Sequence, residues 1–334
     1  MAEKLLVEKH VEFIQKLDKS QNELEYWMTE HLRVSGIYWG LVALEILNRT
    51  DALDKPKVIE YILSCQNPDG GFGGHVGHDS HLLYTMSAVQ ILAMYDSLDK
   101  LDKESVLKYV ESLQDPETGY MMGDKWGEKD TRFAFIGLAI CSMFGDINRL
   151  KVDPIIEYIQ LSMNYDGGFG SGPGGESHAA QVYTCVAALA IAKRLDIVDR
   201  EKLSMWLCER QVEHSGGLNG RPQKLPDVCY SWWALSSLDV LKRLHWIDSK
   251  MLAKFVTSCQ DADFGGISDR PGNIADVYHT CFGICGLSLT QYSEENLTLS
   301  PIDPVYCMPT HVVERMGLSH GPNGWRNYVP ESWK

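Results

Sequence analysis

Between Gly216 and Trp233, eighteen residues read GGLNGRPQKLPDVCYSWW. Arg221 and Lys224 are cationic donors suited to a phosphate, Asp227 and Cys229 are of the type that binds zinc, and Tyr230, Trp232 and Trp233 add aromatic surface. Taken singly, each also fits a basic turn leading into a core helix. His279 contributes an imidazole one repeat later, and Asp227, Cys229 and His279 then form an O, S, N donor set with the fourth tetrahedral position open, the arrangement of a catalytic zinc. D-x-C is an unspecific spacing, however, and a buried Cys229 beside a hydrogen-bonded core His279 is the competing reading. Arg221, Lys224 and His178, one repeat back, can neutralise a diphosphate as charge grows on it, and Tyr230 can donate its hydroxyl to the same oxygens. The alternatives are a solvated loop for the two cations and plain packing for the tyrosine.

These groups stand on an acidic chain. A net charge of −14 over 334 residues argues against a nucleic-acid surface, which needs a basic face to replace counterions. No run of about eighteen apolar residues offers a transmembrane span. The opening MAEKLLVEKHVEFIQKL is charged and helix-like and lacks the parts of a signal peptide. Nine cysteines, odd in number and scattered through apolar pattern, fit reduced thiols and a cytoplasmic location better than a disulfide framework.

What positions the groups is a repeat. Five amphipathic segments end at Gln66, Gln114, Met163, Gln211 and Gln260, each followed by a Gly-rich turn such as NPDGGFGG or NYDGGFGSG and then by a greasier segment starting at His81, Asp130, His178, Asp227 and Asp276. Both series have spacings of 48 or 49 residues. The i, i+3, i+4 pattern of the first segments and the small, apolar second segments read as a helical hairpin, with a further leading copy at SGIYWGLVALEIL from Ser35. Such hairpins can stack into an open solenoid or close into a toroid. Aromatic and small residues on the inner helices favour an all-α, α-α (α6/α6) barrel. The second-segment starts then share one rim. Asp serves well as an N-cap and His poorly, so His81 and His178 read as pocket groups, while Asp130 and Asp276 fit caps. Tyr38, Trp39, Tyr84, Phe133, Phe135, Tyr183, Trp232, Trp233, Tyr278 and Phe282 are candidates to wall a lipid-sized cavity.

The GGFGG turns, RPQKLPDVCYSWW, DVYHTCFGICGLSL from Asp276, LRVSGIYWGL, GHDSHLLYTMSAVQIL and PVYCMP together resemble the β subunits of protein prenyltransferases, over about Glu25 to Met316. The likeness is greatest to the branch that geranylgeranylates Rab GTPases. The resemblance implies one barrel domain over 1–316, including an N-terminal helical segment 1–24, with a Gly-, Pro- and Asn-rich tail over 317–334. It implies zinc on Asp227, Cys229 and His279. The diphosphate would meet His178, Ala179, Ala180, Arg221, Lys224 and Tyr230. A geranylgeranyl chain would lie along Ser35, Tyr38, Trp39, Met86, Arg132, Phe135, Trp232 and Trp233, with Ser35 small where farnesyl-specific relatives carry Trp. Asp269 falls where some relatives place a magnesium-linked carboxylate. The implied partners are an obligate α subunit and a Rab GTPase presented by an escort protein. A terpene cyclase would need a DxDD motif and a complement-like toroid a thioester site, and the sequence has neither. A farnesyl or type I geranylgeranyl enzyme and a non-catalytic toroidal scaffold are the rival readings.

Overall fold

The computed structural model describes residues 4–17, 24–321 and 324–333, so parts of the segment 1–24 and of the tail 317–334 lie outside the described residues. In chain order the helices are α1 (Val7–Lys16), α2 (Leu24–Met28), α3 (Arg33–Ile46), α4 (Lys55–Ser64), α5 (Leu82–Met94), α6 (Lys103–Ser112) and α7 (Arg132–Met143). They continue as α8 (Val152–Leu161), α9 (Ala179–Ile191), α10 (Arg200–Cys208), α11 (Tyr230–Val240), α12 (Ser249–Ser258), α13 (Val277–Leu289) and α14 (Thr310–Arg315).

α3, α5, α7, α9, α11 and α13 each pack on the next, and α13 packs on α3, which closes an inner ring. These helices are apolar on all sides and accordingly buried: every residue from Thr85 to Met94 of α5 is buried. The outer helices bury one stripe, as α12 does with Leu252, Ala253, Phe255 and Val256. Asp54, Asp102, Asp199 and Asp248 cap the starts of α4, α6, α10 and α12. Each inner helix ends on a left-handed residue: Asn48, Asp96, Gly145, Lys193, Lys242 and Gln291. The following N–H bonds to the carbonyl five residues back, as from Arg49 to Leu44 and from Tyr292 to Leu287, the Schellman closure. Only Gly145 among the six advertises such a cap in sequence.

The outer segments stop about two residues before the residues that seemed to end them, and Gln114, Gln211 and Gln260 work as clamps. The Gln114 amide brackets the backbone of Lys151, accepting its N–H at 2.9 Å and donating to its carbonyl at 2.9 Å. Gln211 does the same for Asp248 at 2.9 and 3.0 Å. Each therefore fixes the N-terminus of the following outer helix. Gln260 repeats the device on Leu6, whose N–H it accepts at 2.8 Å just ahead of α1. α1 is thus the sixth outer helix, and the chain's first helix completes the ring begun by its second hairpin.

At one end of the ring, the short antiparallel pair Ile302–Asp303 and Met308–Pro309 carries a turn that forms a floor. Tyr183, Gln90 and Tyr38 donate to the carbonyls of Val305, Tyr306 and Cys307, each at 2.8 Å. The tail lies against this end: Trp325 is buried with its indole N–H on Asp303 at 3.1 Å, and Tyr328 donates to Asp196 at 3.0 Å. The nine cysteines are unpaired, and all but Cys208 are buried. Among the described residues no helix is long and apolar enough to cross a membrane.

Candidate functional site

The opposite rim carries the titratable groups, at the N-termini of the inner helices. The ligating atoms of Asp227, Cys229 and His279 all lie within 4.8 Å of one another. Asp227 and Cys229 are held close because the Cys229 N–H donates to Asp227 Oδ1 at 2.8 Å. His279 stands on α13, one hairpin on, with Nε2 3.3 Å from Asp227. Its other nitrogen donates to Asp276 Oδ2 at 2.6 Å, and Asp276 also caps α13 through the His279 N–H. That bond keeps a proton on Nδ1 and turns Nε2 toward Asp227 and Cys229, so Nε2 is the nitrogen a metal would take on displacing its proton. Burial would lower the His279 pKa, but Asp227 and Asp276 outweigh it and hold it at about 9. Burial opposes ionisation of Asp227, yet its hydrogen bonds with His279 and Cys229 bring its pKa below the ordinary value. Burial, with Asp227 beside it, pushes the Cys229 thiol well up. Protons occupy the places that a cation would take, and the O, S, N set suits zinc.

His81, Asp124 and Glu128 form a second group within the same 4.8 Å. Its histidine has the opposite tautomer. His81 Nδ1 accepts the Leu83 N–H at 3.1 Å, so the proton sits on Nε2 and is donated to Glu128 at 2.9 Å. No lone pair is left for a metal.

His178 is built like His81. Its Nδ1 accepts the Ala180 N–H at 3.2 Å as the N-cap of α9. The expectation that histidine would not cap these helices was wrong for both residues, because an imidazole in the right tautomer accepts from the N2 amide as an Asp oxygen does. Ala179 and Ala180 are therefore the first turn beside His178. Burial, with Arg221 adding to it, lowers the His178 pKa, so the ring is neutral and its Nε2–H donates to the Tyr230 oxygen at 3.1 Å. The phenolic proton is then free to point elsewhere. Burial raises the Tyr230 pKa, keeping that proton in place. Gly220 makes room for the ring, since a Cβ there would sit 2.4 Å from it.

A cavity of about 300 Å³ opens here, lined by His178, Gly220, Arg221, Lys224, Leu225, Asp227, Tyr230 and Arg270. The anion-binding candidates and the metal set thus share Asp227. Arg221 pairs with Glu176 at 2.6 Å, and Lys224 has no acidic partner among the described residues. Arg270 was not among the sequence candidates for this cavity. The available signal was register, since it lies 49 residues after Arg221 in a matching Arg-Pro pair. Asp269 has one oxygen on Arg270 at 3.0 Å and the other on Asn273 at 2.8 Å.

Below the rim, ring contacts run from Phe135 through Tyr183, Trp233, Phe282 and Tyr278 to Trp39, with centroids 4.6–5.5 Å apart. Trp232 packs behind them, fully buried. Tyr38 reaches the floor, while Ser35, one turn nearer the rim, meets Ser87 oxygen to oxygen at 3.2 Å. Met86 and Phe135 are buried nearby on α5 and α7. Arg132 stays at the rim, 3.0 Å from Asp130 and 3.6 Å from Glu128. Tyr84 and Phe133 flank His81 near the rim, away from the aromatic chain.

Comparison with known proteins agrees with this architecture. The prenyltransferase alpha-alpha toroid domain matches residues 5–308. The chain is 49% identical to a geranylgeranyl transferase type-2 subunit beta of Saccharomyces cerevisiae, over 93% of this chain and 96% of that one. It is 48% identical to geranylgeranyl transferase type-2 subunit beta 1 of Arabidopsis thaliana, over 93% and 95% respectively. A solved structure, Candida albicans protein geranylgeranyltransferase-I complexed with GGPP, superimposes with a TM-score of 0.82 at 20% identity, covering 94% of this chain and 98% of that one.

Proposed function

This chain belongs to the prenyltransferase α-α toroid family, and we propose that it is the catalytic β subunit of a type II protein geranylgeranyltransferase. It transfers a geranylgeranyl group from its diphosphate to C-terminal cysteine thiols of Rab GTPases, working with an α subunit and an escort protein in the cytoplasm. The observation that carries this reading is the junction at Asp227 of a three-donor O, S, N set with a cation-lined cavity, in a ring whose inner helices carry the aromatic chain from Phe135 to Trp39.

Zinc held by Asp227, Cys229 and His279 would supply the Lewis acidity that keeps an incoming thiol as its nucleophilic thiolate. The chain's own groups do the rest. Asp276 orients His279 through Nδ1. The aromatic chain from Phe135 to Trp39 holds the isoprenoid and keeps water from its C1. As sulfur bonds to C1, the C1–O bond breaks and its electron pair leaves on the diphosphate. Arg221 and Lys224 balance the growing charge, and Tyr230, whose proton His178 leaves free, donates to the same oxygens. Ser35 and Ser87 are small side chains just above the floor and leave length for the last isoprene unit. Its five carbons are worth ~4 kcal/mol of burial. Asp269, the carboxylate the resemblance links to magnesium, pairs here with Arg270 and Asn273.

The test is a mass measurement of a Rab with C-terminal cysteines after incubation with the reconstituted heterodimer, escort protein and each lipid diphosphate. The expected product carries geranylgeranyl. Cys229→Ala should lose zinc and transfer while still binding the lipid diphosphate. Full transfer with zinc retained would refute the ligand set.

A further inference from the structure

Three loops border the anion cavity, and the third has no role in the account above. Arg221 and Arg270 occupy the same place in consecutive repeats, 49 residues apart, each followed by proline. The residue after each proline has positive φ, Gln223 at 66° and Gly272 at 85°, so both loops turn the same way. The equivalent position one repeat before Arg221 is Gly172, and one before that is Asp124. Arginine therefore faces the rim only in the last two repeats, on either side of Asp227, and both side chains line the cavity.

We propose that Arg270 is a third cationic ligand of the diphosphate, acting with Arg221 and Lys224. This rests on the proposed reading of the cavity as the diphosphate site. Its placement is built. The Asp269 carbonyl accepts the Val228 N–H at 2.9 Å, which ties the loop to the repeat carrying Asp227. The Arg270 carbonyl accepts from Ser268 Oγ at 2.7 Å. Its guanidinium rests on Asp269 at 3.0 Å and the side chain is 38% exposed, so it is anchored on one side with donors left over. A guanidinium has five N–H groups, and one carboxylate contact does not exhaust them. Arg221 is similarly parked on Glu176. A departing diphosphate carries about three negative charges near neutral pH, which three cations match. Arg270 shares its repeat with His279, so the loop that meets the diphosphate and the helix that carries the imidazole are positioned as one unit.

The test uses the reconstituted αβ heterodimer with three probes: geranylgeranyl diphosphate, geranylgeraniol and inorganic pyrophosphate. Arg270→Ala should weaken both diphosphate probes about 10- to 100-fold, the range for one charge-assisted contact, and leave the alcohol, the zinc content and the KM for the thiol substrate unchanged. Arg270→Lys should recover part of the loss. Arg270→Ala binding both diphosphates like the wild type overturns the inference alone, and so does an equal loss for the alcohol, which would mark a structural role. Wild-type protein that holds no lipid diphosphate overturns the proposed function together with it.

Discussion

His10 Nε2 lies 2.9 Å from Gln260 Oε1, joining residues 250 positions apart in the chain. Through Nδ1 the same ring accepts the Gly266 N–H at 3.0 Å, so one imidazole fastens α1 to the turn of the last repeat. This contact fastens the sixth outer helix to the last repeat, and its protonation state has a consequence for stability.

Burial holds the His10 pKa down at about 4, the Gln260 hydrogen bond offsetting only part of the effect. An unfolded chain takes up this proton near 6.5. The stability contribution is therefore complete above about pH 6.5 and drains away as pH falls toward 4, amounting to about 3 kcal/mol. Chemical denaturation across that window should show the loss. His10→Gln should be less stable at pH 7 but flatter against pH, and parallel curves for the two proteins would exclude His10 as the source.

Asp276 holds His279 by its far nitrogen, which predicts a role in metal affinity without ligation. Asp276→Ala should lower zinc affinity about 10- to 100-fold, read by competition with a chromogenic chelator. Asp276→Asn, which still accepts from Nδ1, should fall between. Unchanged affinity in the alanine variant would mean that the 2.6 Å contact does not orient the ring.

Tyr230→Phe removes a proton that the His178 tautomer directs away from itself. Transfer should slow on the order of 100-fold, appearing in kcat in single-turnover measurements, with lipid affinity little changed. A variant as fast as the wild type would leave Tyr230 as packing.

Ser35→Trp should place an indole above the floor, where Ser35 meets Ser87. Preference should move from geranylgeranyl toward farnesyl diphosphate by up to about three orders of magnitude, the equivalent of ~4 kcal/mol. Competition between the two lipids for one Rab measures it, and an unaltered ratio would place Ser35 outside the path of the chain.

The sequence by itself determined the hairpin and its 48- to 49-residue period, and set Asp227, Cys229, His279, His178 and Tyr230 near the starts of inner helices, because periodic burial and repeated glycine turns are local properties. It did not determine closure. Gln260 clamping Leu6 and His10 meeting Gly266 join the two ends of the chain, and no local pattern encodes a bond between them. Nor did it give the tautomers. His81 starts its helix while His279 stands three residues into its own, and their neighbours decide what each ring nitrogen does: the Leu83 amide donates to Nδ1 of one, and the Asp276 carboxylate accepts from Nδ1 of the other. Arg270 entered the cavity for the same reason. Its residue type and register were legible, but the direction of its side chain belongs to the folded loop, since hydrogen bonds and charge act through distance in space and not along the chain.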